Sequence, residues 1–420
     1  MRHCLSALSV FLLLVLSAFP ALAGGPAMLA FFPNYNQSAV VKHGPHCWNQ
    51  ISSMPAGRQV ACGLPALVKN STGNYTVTVA NAAPFPTSVV DSGYQVYVQT
   101  VGGTANCFDT GLSSDAAFKL TSNIRCVTPS GSDVDANFAW YYRADSLDHP
   151  QTIFHSQDHG YATVDGTGAI RANESFNPIA PGFITSSRLA TGRYTVAFGY
   201  MNPQDGNYLP DPDFNVNNVI ASKTCVGDNT SACRRAVCIP YAWTLGTATI
   251  RDTTVEVRCY DRNDGQARDT NFRVFVGEEA HTSQAASDGD HAYLGEQFGW
   301  ISWPGNNTTN MCYAAGSFRY RHQHEGPADN PYTLPVSVCK PSTGIYDVFF
   351  TNLFYTEDKT IPIVSSRGTG GVFCNVESID CGGVDCTGAT DPRITVKCYN
   401  RSGSPINTAF NMSMAYPQWW

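Results

Sequence analysis

Thr191-Gly192-Arg193-Tyr194-Thr195-Val196, then Val255-Glu256-Val257-Arg258-Cys259-Tyr260, then Phe272-Arg273-Val274: these three runs decide the fold. Each alternates apolar and polar residues with period two, the pattern of a half-buried strand. The series occurs three times. Thr72-Gly73-Asn74-Tyr75-Thr76-Val77 and Thr343-Gly344-Ile345-Tyr346-Asp347-Val348 match the first run. Asn123-Ile124-Arg125-Cys126 and Ile394-Thr395-Val396-Lys397-Cys398-Tyr399 match the second, and Phe138 and Phe410 match Phe272.

The offsets are close to constant. A cysteine (Cys107, Cys225 or Cys374) follows the tyrosine by 32, 31 or 28 residues, and the phenylalanine follows the second cysteine by 12, 13 or 12. Only the distance between the two cysteines stretches, to 19, 34 and 24 residues. Fixed strand spacing around one elastic segment is what duplicated sheets produce, because loops accept insertions and core register does not. Repeats two and three also share a Cys-x4-Cys, Cys233 with Cys238 and Cys381 with Cys386. The spacing predicts an all-β chain of three tandem antiparallel β-sandwiches, at 24–142, 143–279 and 280–420, behind a leader at 1–23. A jelly roll or a small barrel fits the same alternation.

These runs, with the lone downstream Cys225, resemble the Ig-like β-sandwich repeats found in tandem in secreted bacterial proteins of uncharacterised function. The resemblance implies a fold and export, and no activity. The added cysteine pairs and the long insertions in repeats two and three depart from that pattern.

Met1 to Ala23 has the form of a secretory signal peptide: Arg2, an apolar core from Val10 to Leu16, and Ala21-Leu22-Ala23 at the cleavage position. That core is too short to span a bilayer, and no later segment offers the ~20 apolar residues a span needs. The expected location is therefore outside the cytoplasm, in a periplasm or at a cell surface. Of 15 cysteines, Cys4 lies in the leader, which leaves an even number, the signature of bridges in an oxidising compartment. The repeat predicts Cys107–Cys126, Cys225–Cys259 and Cys374–Cys398, one per copy. Cys233–Cys238 and Cys381–Cys386 would close short loops, and Cys47–Cys62 and Cys312–Cys339 would complete the set.

A net charge of −7 and only 14% charged residues exclude the basic surface of a nucleic-acid binder, and 12% aromatics exclude a disordered chain. Neither a Gly-x-Ser-x-Gly elbow, nor a His-Glu-x-x-His pair, nor a phosphate loop is present. Two histidine clusters are candidate metal or acid–base groups: His155 with His159, and His322 with His324. Pro150 and Gly160 mark the first as a solvated loop, and Arg319 and Arg321 oppose a cation at the second. Asp261-Arg262-Asn263-Asp264-Gly265 has calcium-like composition but lacks the EF-hand register, so a hairpin turn is the simpler reading.

The dense aromatics around Trp140, Trp300 and Trp303 suggest sugar-stacking platforms or packing between domains. The functional expectation is a secreted, non-enzymatic interaction protein that binds a glycan, a cell surface or a matrix, with no cofactor. The alternatives are an extracellular hydrolase with a histidine site at a domain junction and a structural envelope component.

Overall fold

The computed structural model describes residues 27–32, 65–80, 92–114, 119–146, 159–177, 183–199, 218–228, 230–244, 252–277, 297–305, 311–313, 321–325, 336–350, 361–380 and 393–416. Residues 1–23, Cys47, Cys62, Cys381, Cys386 and His155 lie outside them.

The described residues form an all-β structure. In chain order, the first strands are β1 (Ala27–Phe32), β2 (Ala66–Ser71), β3 (Asn74–Val79), β4 (Ser92–Val101), β5 (Asn106–Ser114), β6 (Leu120–Val127) and β7 (Asn137–Ser146). Next come β8 (His159–Val164), β9 (Ile184–Ala190), β10 (Arg193–Phe198), β11 (Asn218–Lys223), β12 (Ala236–Thr244), β13 (Thr253–Asp261) and β14 (Phe272–Gly277). Last are β15 (Gln297–Trp303), β16 (Met311–Tyr313), β17 (Arg321–Glu325), β18 (Val336–Ser342), β19 (Ile345–Phe350), β20 (Ile361–Ser366), β21 (Phe373–Asp380), β22 (Arg393–Tyr399) and β23 (Phe410–Tyr416).

One strand order recurs. Strands run side by side as β2-β3-β6-β5, as β9-β10-β13-β12 and as β18-β19-β22-β21. Facing them are β1-β7-β4, β8-β14-β11 and β15-β23-β20, the last extended by β17. Each facing pair encloses one apolar core. Period-two alternation produces this: β13 reads buried at every odd position from Thr253 to Asp261, so one row of side chains faces the opposite sheet. Full burial of each such Val adds roughly 1.5–3 kcal/mol.

The repeated residues occupy repeated positions. Tyr75, Tyr194 and Tyr346 pack in a tilted arrangement against Phe138, Phe272 and Phe410 at centroid distances of 5.3, 4.9 and 5.2 Å. Gly73, Gly192 and Gly344 all have positive φ, where a side chain is strained. A Cβ on any of them would also meet the carbonyl oxygen of Cys126, Cys259 or Cys398, at 2.5, 2.5 and 2.8 Å. The amides of those cysteines donate back to the three glycine carbonyls. A β-bulge falls two residues past Cys107, Cys238 and Cys374, re-aiming each edge strand at the same point.

That register corrects the bridges expected for Cys225, Cys233, Cys238 and Cys259. Cys238, not Cys225, lies opposite Cys259, and the structure joins Cys238 to Cys259 and Cys225 to Cys233. Cys233 sits in the short helix Ser231–Arg235, whose Thr230 cap accepts from its amide, and that helix brings it back to the end of β11. Cys107–Cys126, Cys312–Cys339 and Cys374–Cys398 are joined. These bridges between neighbouring strands of one sheet then span 19, 21 and 24 residues, and the outlying 34 disappears.

Trp140 and Trp303 are fully buried, which corrects their reading as sugar platforms: they face inward on β7 and β15. Trp140 Nε1 donates to Ser122 Oγ at 3.1 Å, and Trp303 packs on Tyr313 and Tyr346. Trp300 lies in β15, opposite His322 of β17.

Candidate functional site at the junction of the sheet pairs

The three sheet pairs meet along equivalent edges. Strands β4, β11 and β20, with β5, β12 and β21, line one cavity of about 60 Å³. That holds a few waters and is well below the several hundred Å³ of a typical ligand pocket. At its rim the single parallel contact between Val101 and Val376 splices β4 to β21, forming one eight-stranded sheet.

Charged side chains are buried at this junction. Asp109 leaves the bulge of β5, Arg273 comes from β14, and Glu174 from the 3-10 turn Ala172–Glu174. Arg273 is 1% exposed. Its Nη1 donates to Asp109 and to the Val96 carbonyl (2.9 Å), and its Nη2 donates to Glu174 Oε2 (3.2 Å). Thr224 Oγ1 donates to the other Asp109 oxygen at 3.1 Å, and Arg171 Nη1 reaches Glu174 Oε1 at 3.4 Å.

Burial pushes the Asp109 carboxyl above the ordinary aspartate value, against the pull of Arg273. The same burial opposes the Arg273 charge, but Asp109 and Glu174 more than restore it. Tyr94, beside the cluster, is pushed up to about 12, first by burial and then by Glu174. Two guanidiniums match two carboxylates, so the four charges balance within the cluster.

Two further basic side chains are sealed nearby. Lys223 donates to the carbonyls of Cys233 and Arg234 and lies 3.8 Å from the Phe108 ring centroid. Burial drives its amine well below the ordinary lysine value, with Arg262 adding to the effect. Arg262 is stacked 3.6 Å above Phe373 and donates to the Thr104 carbonyl at 3.0 Å. Burial lowers its pKa to about 9. Neutral bonds complete the join: Val364 N to Gln99 Oε1 (2.9 Å), Ser365 Oγ to the Ala221 carbonyl (2.8 Å) and Asn411 Nδ2 to the Val219 carbonyl (2.7 Å).

The residues singled out from sequence lie elsewhere. His159 opens β8, and His322 and His324 lie in β17, in a different sheet. Among the described residues no three His, Cys, Asp or Glu side chains converge as metal ligands. The Asp261 carboxylate is occupied: Arg235 Nε and Arg268 Nε reach Oδ2 at 3.1 and 3.0 Å, and the Asn263 amide donates to Oδ1 at 2.8 Å. Its loop is therefore an arginine-braced turn.

Sequence reading missed a recurring polar anchor. Asp135 and Asp269 accept from the amides of Gly73 and Gly192 and from the hydroxyls of Tyr75 and Tyr194 (2.8–2.9 Å). Lys69 and Arg188 pair with these carboxylates at 2.6 Å. In the third pair Asn407 accepts from Gly344. The available signal was an Asp or Asn three residues before each repeated Phe.

No family model, curated protein or solved structure matches this chain.

Proposed function

We propose that the chain is a secreted, non-enzymatic interaction protein. In this reading three copies of an Ig-like β-sandwich unit are locked into one body that presents its outward strands and loops to a glycan, a cell surface or a matrix. The observation that carries it is the junction. Its carboxylates and guanidiniums are mutually consumed, and its cavity has room only for waters. The buried ionisable groups there hold units together, so the contact surface lies on the outer loops and strands. Five bridges suit an oxidising compartment and resist proteolysis. No helix among the described residues is long and apolar enough to cross a membrane.

The test is a glycan and matrix array probed with the purified protein, followed by product analysis of every ligand retained. Saturable binding with the ligand recovered intact is the expected result. Cleaved or modified ligand would replace this reading with the hydrolase, and an array without any binding would reject it.

A further inference from the structure

Four of the five described bridges are buried: Cys107–Cys126, Cys225–Cys233, Cys238–Cys259 and Cys374–Cys398 use cysteines no more than 6% exposed. Cys312–Cys339 differs. Cys312 is exposed and Cys339 half-buried, and they tie the three-residue strand β16 onto the outer edge of β18. We propose that Cys312–Cys339 is a thiol-exchange site for an external dithiol, and that opening it uncovers the edge of β18 while the rest of the fold persists.

The chemistry follows from access. A thiolate of the dithiol attacks Sγ of Cys312, the more exposed residue; the S–S bond breaks and Cys339 leaves as a thiolate. The second thiolate of the reagent attacks its own sulfur in the mixed disulfide and releases Cys312. The reagent ends as its disulfide and both cysteines gain protons, a balanced two-electron reduction. The buried bridges admit no such in-line approach without unfolding.

The structural consequence follows from the strand. Once the bond opens, β16 keeps three residue pairs (Met311 with Lys340, Cys312 with Cys339, Tyr313 with Val338) and one ring contact, Tyr313 on Trp303. Met311 is 48% exposed and adds little burial. The equivalent edges in the other two units show what β18 becomes without a covering strand: β9 is exposed at its last four residues, whereas β18 alternates buried and half-buried over its first five. An uncovered edge offers its amides and carbonyls to any extended partner.

The test is graded reduction of the native protein with dithiothreitol, trapping with N-ethylmaleimide and peptide mapping. Cys312 and Cys339 should label about tenfold or more faster than the eight buried cysteines. Deuterium exchange of amides 336–342 should then rise while that of 253–261 stays unchanged. Labelling of any buried pair at the same rate, or unchanged exchange at 336–342 once the bond is open, would overturn the proposal. The double variant Cys312→Ser/Cys339→Ser should reproduce the exchange pattern; since the primary readout uses unmodified protein, a variant that fails to fold leaves it standing.

Discussion

Replacing Arg273 by methionine removes the cation shared by Asp109 and Glu174 while keeping much of the side-chain volume. Arg171 still reaches Glu174, but Asp109 keeps only the Thr224 hydroxyl. Asp109 and Arg273 are 2% and 1% exposed, so solvent cannot screen the loss. Breaking a buried pair on one side costs about 3–5 kcal/mol. The Arg193–Glu256 pair is the internal control: Arg193 is 45% exposed and Glu256 also holds Arg258, so Arg193→Ala should cost under about 1 kcal/mol.

Urea unfolding followed by tryptophan fluorescence and far-ultraviolet circular dichroism measures both. Adding Asp109→Leu to Arg273→Met should return at least half the loss, because an apolar pair of similar volume avoids the stranded charge. The pH dependence carries a definite sign. A carboxyl whose folded pKa lies above its unfolded value binds more protons in the native state, so its contribution falls as pH rises. Asp109 is already raised in the intact protein and rises further without Arg273. The deficit of Arg273→Met should therefore shrink as pH falls from 7 towards 5. A cost under about 1 kcal/mol, comparable to an exposed pair, would show that the junction is not held by its buried charges.

The polar anchor gives a second test. Asp269→Asn keeps acceptors for the Gly192 amide and Tyr194 hydroxyl, as Asn407 does for Gly344, and loses only the pair with exposed Arg188; a small loss of stability at pH 7, well below that of Arg273→Met, is expected. Burial pulls the Asp269 carboxyl up, but Arg188, the Gly192 amide and Tyr194 hold it below the ordinary range, so its contribution is lost as pH falls through that lowered pKa. The difference between variant and parent should close below about pH 4 in acid titration. Gly192→Ala should cost about 3 kcal/mol in the same urea assay, since its Cβ would lie 2.5 Å from the Cys259 carbonyl oxygen at positive φ. Gly102→Ala, with the same sign of φ and open space around it, should cost about 1–2 kcal/mol. In a glycosylating host, peptide mapping should find glycan on exposed Asn173 and none on Asn411, whose Nδ2 is buried against the Val219 carbonyl.

The strand pattern was legible because a buried face forces period two, and Tyr75, Tyr194 and Tyr346 could be aligned by spacing alone. The middle bridge was not, for a local reason. Strand β12, Ala236 to Thr244, contains Pro240, and proline in an apolar run argues against a ladder strand. The structure places Pro240 at the bulge after Cys238, where an irregular ladder tolerates it. With β12 hidden, Cys225 was the nearest cysteine at the expected offset from Tyr194. The buried ions were illegible for a different reason. Arg273 occupies an outward position of an alternating strand, between buried Phe272 and Val274, so alternation reads it as solvated. Only the packing of β14 against the first sheet pair turns that outward face into an interior.

The covered face of β14 lies where the three sheet pairs meet. In each facing pair the strands β4, β11 and β20, and β5, β12 and β21, are sheet edges. An edge leaves backbone amides and carbonyls unpaired and invites association with any strand. Here those edges converge on one junction, where Gly102 N donates to the Val376 carbonyl and Cys225 N to the Asp109 carbonyl, at 2.8 and 3.0 Å. These bonds, with that of Val364 N to Gln99 Oε1, occupy part of the converging edges. The edge strands on the opposite side, β2 and β9, receive no such partner from the junction, and β18 receives β16 through an exposed disulfide. The backbone groups left open among the described strands are therefore those of the outer edges, and at β18 they lie behind the Cys312–Cys339 bond.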